Sequence, residues 1–278
     1  MREAIDSILS SPDVFGPPIA AAALAGLVLG WLGVWIVLRR MVFVSAAIAQ
    51  SSALGVALIF LLHGLIGWEL EPLVGGAVAT AAAGLLFVFE PSRLKVTRES
   101  ILGFVYVAAG AATLVVGDAI PQESQEISAV LFGNAVLIRD ADLAAIAIAG
   151  GLVLAVQLWL HRGFVLAAFD PETARVQGVP TGLLDALLFL SIGITIAASI
   201  RALGALPVFA FSVLPAMGAL AHSRRMLPAL VAAGVLGLLS GVMGYLIAFA
   251  YELTVGATQT LTACALGLVA LVLAGVRR

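Results

Sequence analysis

Long apolar runs, each closed by charge or by proline and glycine, follow one another along almost the whole chain. They fall at 18–38, 43–63, 73–89, 100–117, 141–160, 182–200, 203–221, 228–250 and 257–276. A helix that crosses a bilayer needs about 20 apolar residues, so each run predicts one crossing. The run 129–138 is too short to cross and sits just before 141–160, which suits a re-entrant piece followed by a span. The expected fold class is all-α, a polytopic transmembrane helical bundle of eight to nine spans. No low-complexity tract or flexible linker divides it, so residues 1–278 read as a single transmembrane domain.

Composition removes the soluble alternative. Of 278 residues, 62% are hydrophobic and 11% charged, where soluble domains carry about 25% charged residues. A mean hydropathy of +1.16 cannot come from one buried core under a polar surface. The spans leave no room for a sizeable extramembrane domain, so any ATP-binding or catalytic domain is expected on another chain. Net charge is -2 and the 14 basic residues are scattered between apolar runs, which gives no basic face for nucleic acid. The single cysteine, Cys264, supports neither a disulfide framework nor a thiolate metal site. Arg2 is followed by Glu3, Asp6 and Asp13, the wrong charge order for a cleaved signal peptide, so the first span is expected to stay in the protein.

The charges are sorted between the two sides. With the Arg39–Arg40 turn in the cytoplasm, the inner segments hold Arg39, Arg40, Arg93, Lys95, Arg98, Arg162, Arg175, Arg224, Arg225, Arg277 and Arg278. Only Arg2, Arg139 and Arg201 fall outside, together with most of the acids, among them Glu69, Glu71, Asp118, Glu123, Glu126, Asp140, Asp142 and Glu252. The positive-inside rule then puts the N-terminus outside and the C-terminus inside, with 129–138 not crossing.

Enzyme chemistry finds no footing. There is no paired histidine on a helical face, no phosphate loop and no Ser/His/Asp set. His63, His161 and His222 fall at span ends, where an interfacial histidine needs no ligand role, although His63 lies near Glu69 and Glu71. The longest inner stretch, Gly163 to Pro180, carries a helix signature: Asp170 as N-cap, Pro171 in the first turn, Glu172 after it and Gly178 as the stop. It reads either as a capped connector or as a docking helix for a soluble partner.

At this point the residues resemble a known family, the permease subunits of bacterial ABC importers for zinc, manganese or iron. The resemblance rests on Arg39–Arg40–Met41 leading to a small-residue helix ending near Gly55, on Glu99 to Gly103, and on Leu131–Phe132–Gly133–Asn134. It continues through Phe169–Asp170–Pro171–Glu172 with Ala174 and Gly178, the Gly204 to Pro215–Ala216 span and the Tyr251–Gly256 approach to the last span. It implies a bacterial inner-membrane protein that is not itself an enzyme. Two cytoplasmic ATP-binding subunits would dock on Phe169, Asp170, Glu172, Ala174, Arg175 and Gly178. An extracytoplasmic solute-binding protein would deliver the substrate, and a second permease copy or paralogue would complete the pore. ATP and magnesium would sit on the partner ATPase, with no cofactor on this chain.

One departure affects the cargo. Where the family has Gly-Asp-x-x-x-His in the second span, this chain has Ser45, Ala46, Ala47, Ile48, Ala49 and Gln50. The carboxylate and imidazole that the resemblance would assign to the metal are replaced by Ala46 and Gln50. The pathway residues it points to are Ser45, Ala46, Gln50 and Ser51, with Ser52 beside them. Their amide and hydroxyls are weak ligands for zinc or manganese. Three readings stay open: a metal pathway without a tight stop, a paralogous partner that keeps the ligands, or a chelate or other small solute as cargo. A secondary transporter is the alternative from another class, but it needs intramembrane charge for ion coupling, and Asp185 is the nearest case.

Overall fold

The computed structural model describes residues 12–67, 70–88, 98–120, 138–223 and 225–276. These form eleven helices: α1 (Pro12–Leu38), α2 (Val42–Ile66), α3 (Pro72–Val88), α4 (Arg98–Ala119), α5 (Asp140–Trp159), α6 (His161–Phe169), α7 (Pro171–Val176), α8 (Thr181–Leu203), α9 (Ala205–His222), α10 (Met226–Ala250) and α11 (Val255–Val276). No strand occurs among the described residues. Eight helices are long and apolar enough to cross a membrane, and α3 is a shorter apolar helix. The nine expected spans therefore all appear as helices, with ends close to those the apolar runs predict. The element Leu131–Asn134, nearly all of 129–138 and most of the acidic segment 118–128 lie outside the described residues.

The bundle is built around α1. Its backbone meets α10 directly because glycines face each other: a Cβ on Gly26 would lie 2.7 Å from the carbonyl carbon of Gly237, and one on Gly237 would lie 2.8 Å from that of Gly26. Such contact is how helices gain packing in lipid, where apolar burial alone gives no driving force between them. Phe15 on Phe249, with ring centroids 4.7 Å apart, continues this antiparallel seam. Leu29, Leu32 and Trp35 of α1 are fully buried. The large exposed apolar side chains of α4, α5 and α11 form the ordinary outer surface of a membrane protein.

Side-chain pairs identify the two ends of the bundle. Arg39, after α1, pairs with Asp185 near the start of α8. At the opposite end Glu71, before α3, meets Arg201 near the end of α8, and Arg139 at the start of α5. Ile120, just past α4, packs on Ala57 of α2 and lies beside Gly64, so α4 ends where α5 begins. Between α8 and α9 only Gly204 intervenes, at φ 90° and ψ 161°, a region essentially closed to other residues. That glycine lets two spans meet almost without a loop.

One element was not foreseen. The stretch from Gly163 to Pro180, in which the sequence marks a single helix starting after Asp170, begins inside a second helix, α6, separated from α5 by Leu160 alone. Its polar start, His161–Arg162–Gly163, breaks the apolar run in the sequence. Fully buried Phe164 nevertheless packs against Trp35, with ring centroids 5.7 Å apart.

Candidate functional site

The α2 segment from Ser45 to Ser52 divides among three neighbours. Ser45 is fully buried and donates to the Val42 carbonyl at 2.9 Å, with the Ser212 hydroxyl of α9 3.3 Å away. At 3.6 residues per turn, Gln50 points about 140° away from Ser45 but only about 40° from Ala46. Its Oε1 lies 3.3 Å from where a Cβ on Gly110 of α4 would sit, so the amide is laid against α4. Ser52 turns to α3, its Oγ 2.9 Å from the Cβ position of Gly76. Ala46 and Ser51 are buried. The structure thus keeps Ala46 and Gln50 on one face and turns Ser45 toward another helix.

Two oxygens in this segment have no partner: Gln50 Oε1 and Ser52 Oγ are both buried without a hydrogen bond. Leaving such groups dry costs about 1–3 kcal/mol each, so they are ready acceptors. They are hard, neutral oxygens. Among the described residues no group of three or more His, Cys, Asp or Glu side chains stands close enough to hold a metal ion.

The second region is α6–α7. Asp170 caps α7 by accepting from the Thr173 backbone N–H at 2.9 Å, and Pro171 fills the first helical position. Hydrogen bonds from Thr173, first its side chain and then its backbone N–H, hold the Asp170 carboxyl below the ordinary carboxylate range. At the other end the Val179 N–H donates to the Ala174 carbonyl at 2.9 Å, and Gly178 takes φ +75°. This is the αL ending that glycine allows at least cost. Only Ala174 is buried. Asp170, Glu172, Arg175 and Gly178 are exposed. So are Phe169, at 65%, and Val176, at 89%. Val176 escaped the sequence reading because a lone valine between arginine and glutamine shows nothing by itself. Its signal is the six-residue length of α7, which leaves too little helix to bury it.

Charge pairing also separates the ends. The Glu71 end holds a four-residue network: Arg201 to Glu71 at 3.4 Å and to Asp142 at 3.8 Å, and Arg139 to Asp142 at 3.4 Å and to Glu71 at 3.9 Å. Glu71 is mostly exposed, so its two links contribute little alone. Among the described residues the Arg39 end has the single pair Arg39–Asp185. Asp185, the nearest case to an intramembrane charge in the sequence, is therefore partnered.

Comparison with known proteins agrees with this architecture. The profile of the ABC 3 transport family matches residues 13–274. The chain is 26% identical over 248 residues to the manganese transport system membrane protein MntC of Halalkalibacterium halodurans, covering 89% of this chain and 83% of that one. It is 30% identical over 249 residues to the chelated iron transport system membrane protein YfeD of Yersinia pestis, covering 87% and 80%. Its fold matches a chain of PsaBC from Streptococcus pneumoniae, solved in complex with Fab, with a TM-score of 0.86 at 21% identity over 97% of this chain and 94% of that one.

Proposed function

The chain belongs to the ABC 3 transport family, and on that footing we propose that it is the permease of a binding-protein-dependent importer for a first-row transition metal, manganese or iron before zinc. The observation that carries this is the near end-to-end match to relatives named for manganese and chelated iron transport. The permease lies in a bacterial inner membrane with its N-terminus outside, so the Arg39 end faces the cytoplasm and the Glu71 network faces out. Two copies, or this chain with a paralogue, form the pore. Two ATPase subunits seat on the exposed Phe169, Asp170, Glu172, Arg175 and Gly178, with Val176 adding apolar area and Ala174 buried beneath them, and a solute-binding protein delivers cargo to the acidic outer end. ATP and magnesium stay on the ATPase, and this chain supplies shape and path rather than bond chemistry.

At Ala46 and Gln50 the cargo meets an amide oxygen where the family pattern has a carboxylate and an imidazole. Conduction without a tight stop suits that face, since a weak site releases what it admits. The same two residues favour a second reading, a metal chelate as cargo, because a chelated ion brings its own ligands. ATP-driven uptake by the reconstituted complex, screened over manganese(II), iron(II), zinc(II) and their chelates, separates the two readings.

A further inference from the structure

We infer that Arg39, held by Asp185, is the positioning residue that carries movement of the α6–α7 docking arm into the pathway helix α2. The inference rests on the docking reading above and goes beyond it by naming the link.

Four observations lead to it. First, Asp185 stands on the opening turns of α8, next to the arm: Leu184 is buried and its Cδ1 lies 3.2 Å from the Cβ position of Gly163 in α6. Displacement of α6 or α7 is thereby felt at Asp185. Second, Arg39 belongs to the turn that starts α2, and that turn is constrained. Arg40 takes φ +56°, a left-handed setting that a long side chain keeps only where the surroundings impose it. The Met41 N–H bonds back to Ile36 at 2.8 Å, and the Val44 N–H to Met41 at 3.0 Å. A turn so fixed in shape passes on what happens at the Arg39–Asp185 pair.

Third, that anchor is the sole ion pair at this end among the described residues, and it is lopsided. Arg39 is 14% exposed and Asp185 47%, so solvent reaches the acid. The Arg39 Nε and Nη2 are buried with no partner. A guanidinium with one edge bound and the other free is suited to exchanging partners between two arrangements. Fourth, the joint around it is not locked by other polar contacts. Trp35 Nε1, both amide atoms of Gln157 and His161 Nδ1 are buried and unpaired where α1 meets the α5–α6 junction, and the Trp35 and His161 rings lie 6.5 Å apart. Unmet hydrogen-bonding groups at an interface mark a place where a second arrangement that pairs them costs little.

The test uses the full complex with the ATPase bound. Cys264, the only native cysteine, is replaced by serine, and a cysteine is placed at Phe43, an exposed position in the first turn of α2. The readout is the rate of maleimide labelling at that position with and without ATP. With the native pair the rate changes with nucleotide by about fivefold or more, the scale of ordinary site-to-site coupling. Arg39→Ala and the near-isosteric Asp185→Asn lose that change while the ATPase still co-purifies, and the exchange Arg39→Asp with Asp185→Arg restores it. The inference is overturned by a native rate indifferent to nucleotide, or by single variants that respond like the native pair. It is equally overturned if the exchange fails to restore the response, or if the single variants release the ATPase, since the pair would then serve assembly. Failure of the docking reading looks different: Asp170→Ala with Glu172→Ala would leave the ATPase bound.

Discussion

The α1–α10 seam and the α6–α7 arm are made from the same apolar alphabet, yet they behave as opposites. Along the seam, glycine meets glycine and backbones touch. Along the arm, α7 buries a single side chain, and the joint with α1 holds unpaired polar atoms. In lipid, close packing fixes two helices as one body, whereas a loosely packed helix ending in polar groups is free to shift. The difference suits a transporter: a frame that does not change, and a lever that receives movement from outside the membrane.

The largest effect is expected on the frame. Gly237→Val drives a side chain into the Gly26 backbone and should lower unfolding stability in detergent by about 3 kcal/mol or more. Gly151→Val, at a position with no neighbour within 4 Å, should leave the melting temperature nearly unchanged. Equal melting curves for the two would remove the contrast. A middle effect is expected on the arm: Asp170→Ala with Glu172→Ala should weaken ATPase co-purification by about tenfold, the loss expected when interface anchors are truncated. The permease bundle should still melt as before, because loss of the Asp170 cap loosens only α7, which buries a single side chain. The smallest effect concerns acid. The Asp170 carboxyl titrates below its ordinary range, so its cap is fully present above the unfolded value and is lost only as pH falls through the lowered one. The Thr173 amide resonance should therefore hold steady from about pH 8 to pH 5 and move only in stronger acid. A shift centred near neutral pH would mean that another group holds the cap.

These regions differ in how far the chain announces them. The spans were readable because hydrocarbon demands about 20 apolar residues in a row, and the ends of α7 because Asp170, Pro171 and Gly178 each have a local reason for their positions. α6 was hidden, since its polar start masks a short apolar face that only Trp35, far away in sequence, completes. The Arg39–Asp185 pair joins residues 146 positions apart, and no local pattern encodes such a partner. For α2, helical spacing puts Ala46 and Gln50 on one face. It could not say that the neighbours of Ser45 and Gln50 are Ser212 and Gly110, because packing of whole helices decides that.

The most direct test of the account is ATP-driven uptake into vesicles holding the permease, its ATPase and its solute-binding protein, with free manganese(II) and a ferric chelate offered separately. The account predicts saturable, ATP-dependent entry of a transition metal, with Asp170→Ala and Glu172→Ala together lowering it in step with the roughly tenfold loss of ATPase binding. Uptake of neither form, or entry that proceeds without ATP, would contradict it.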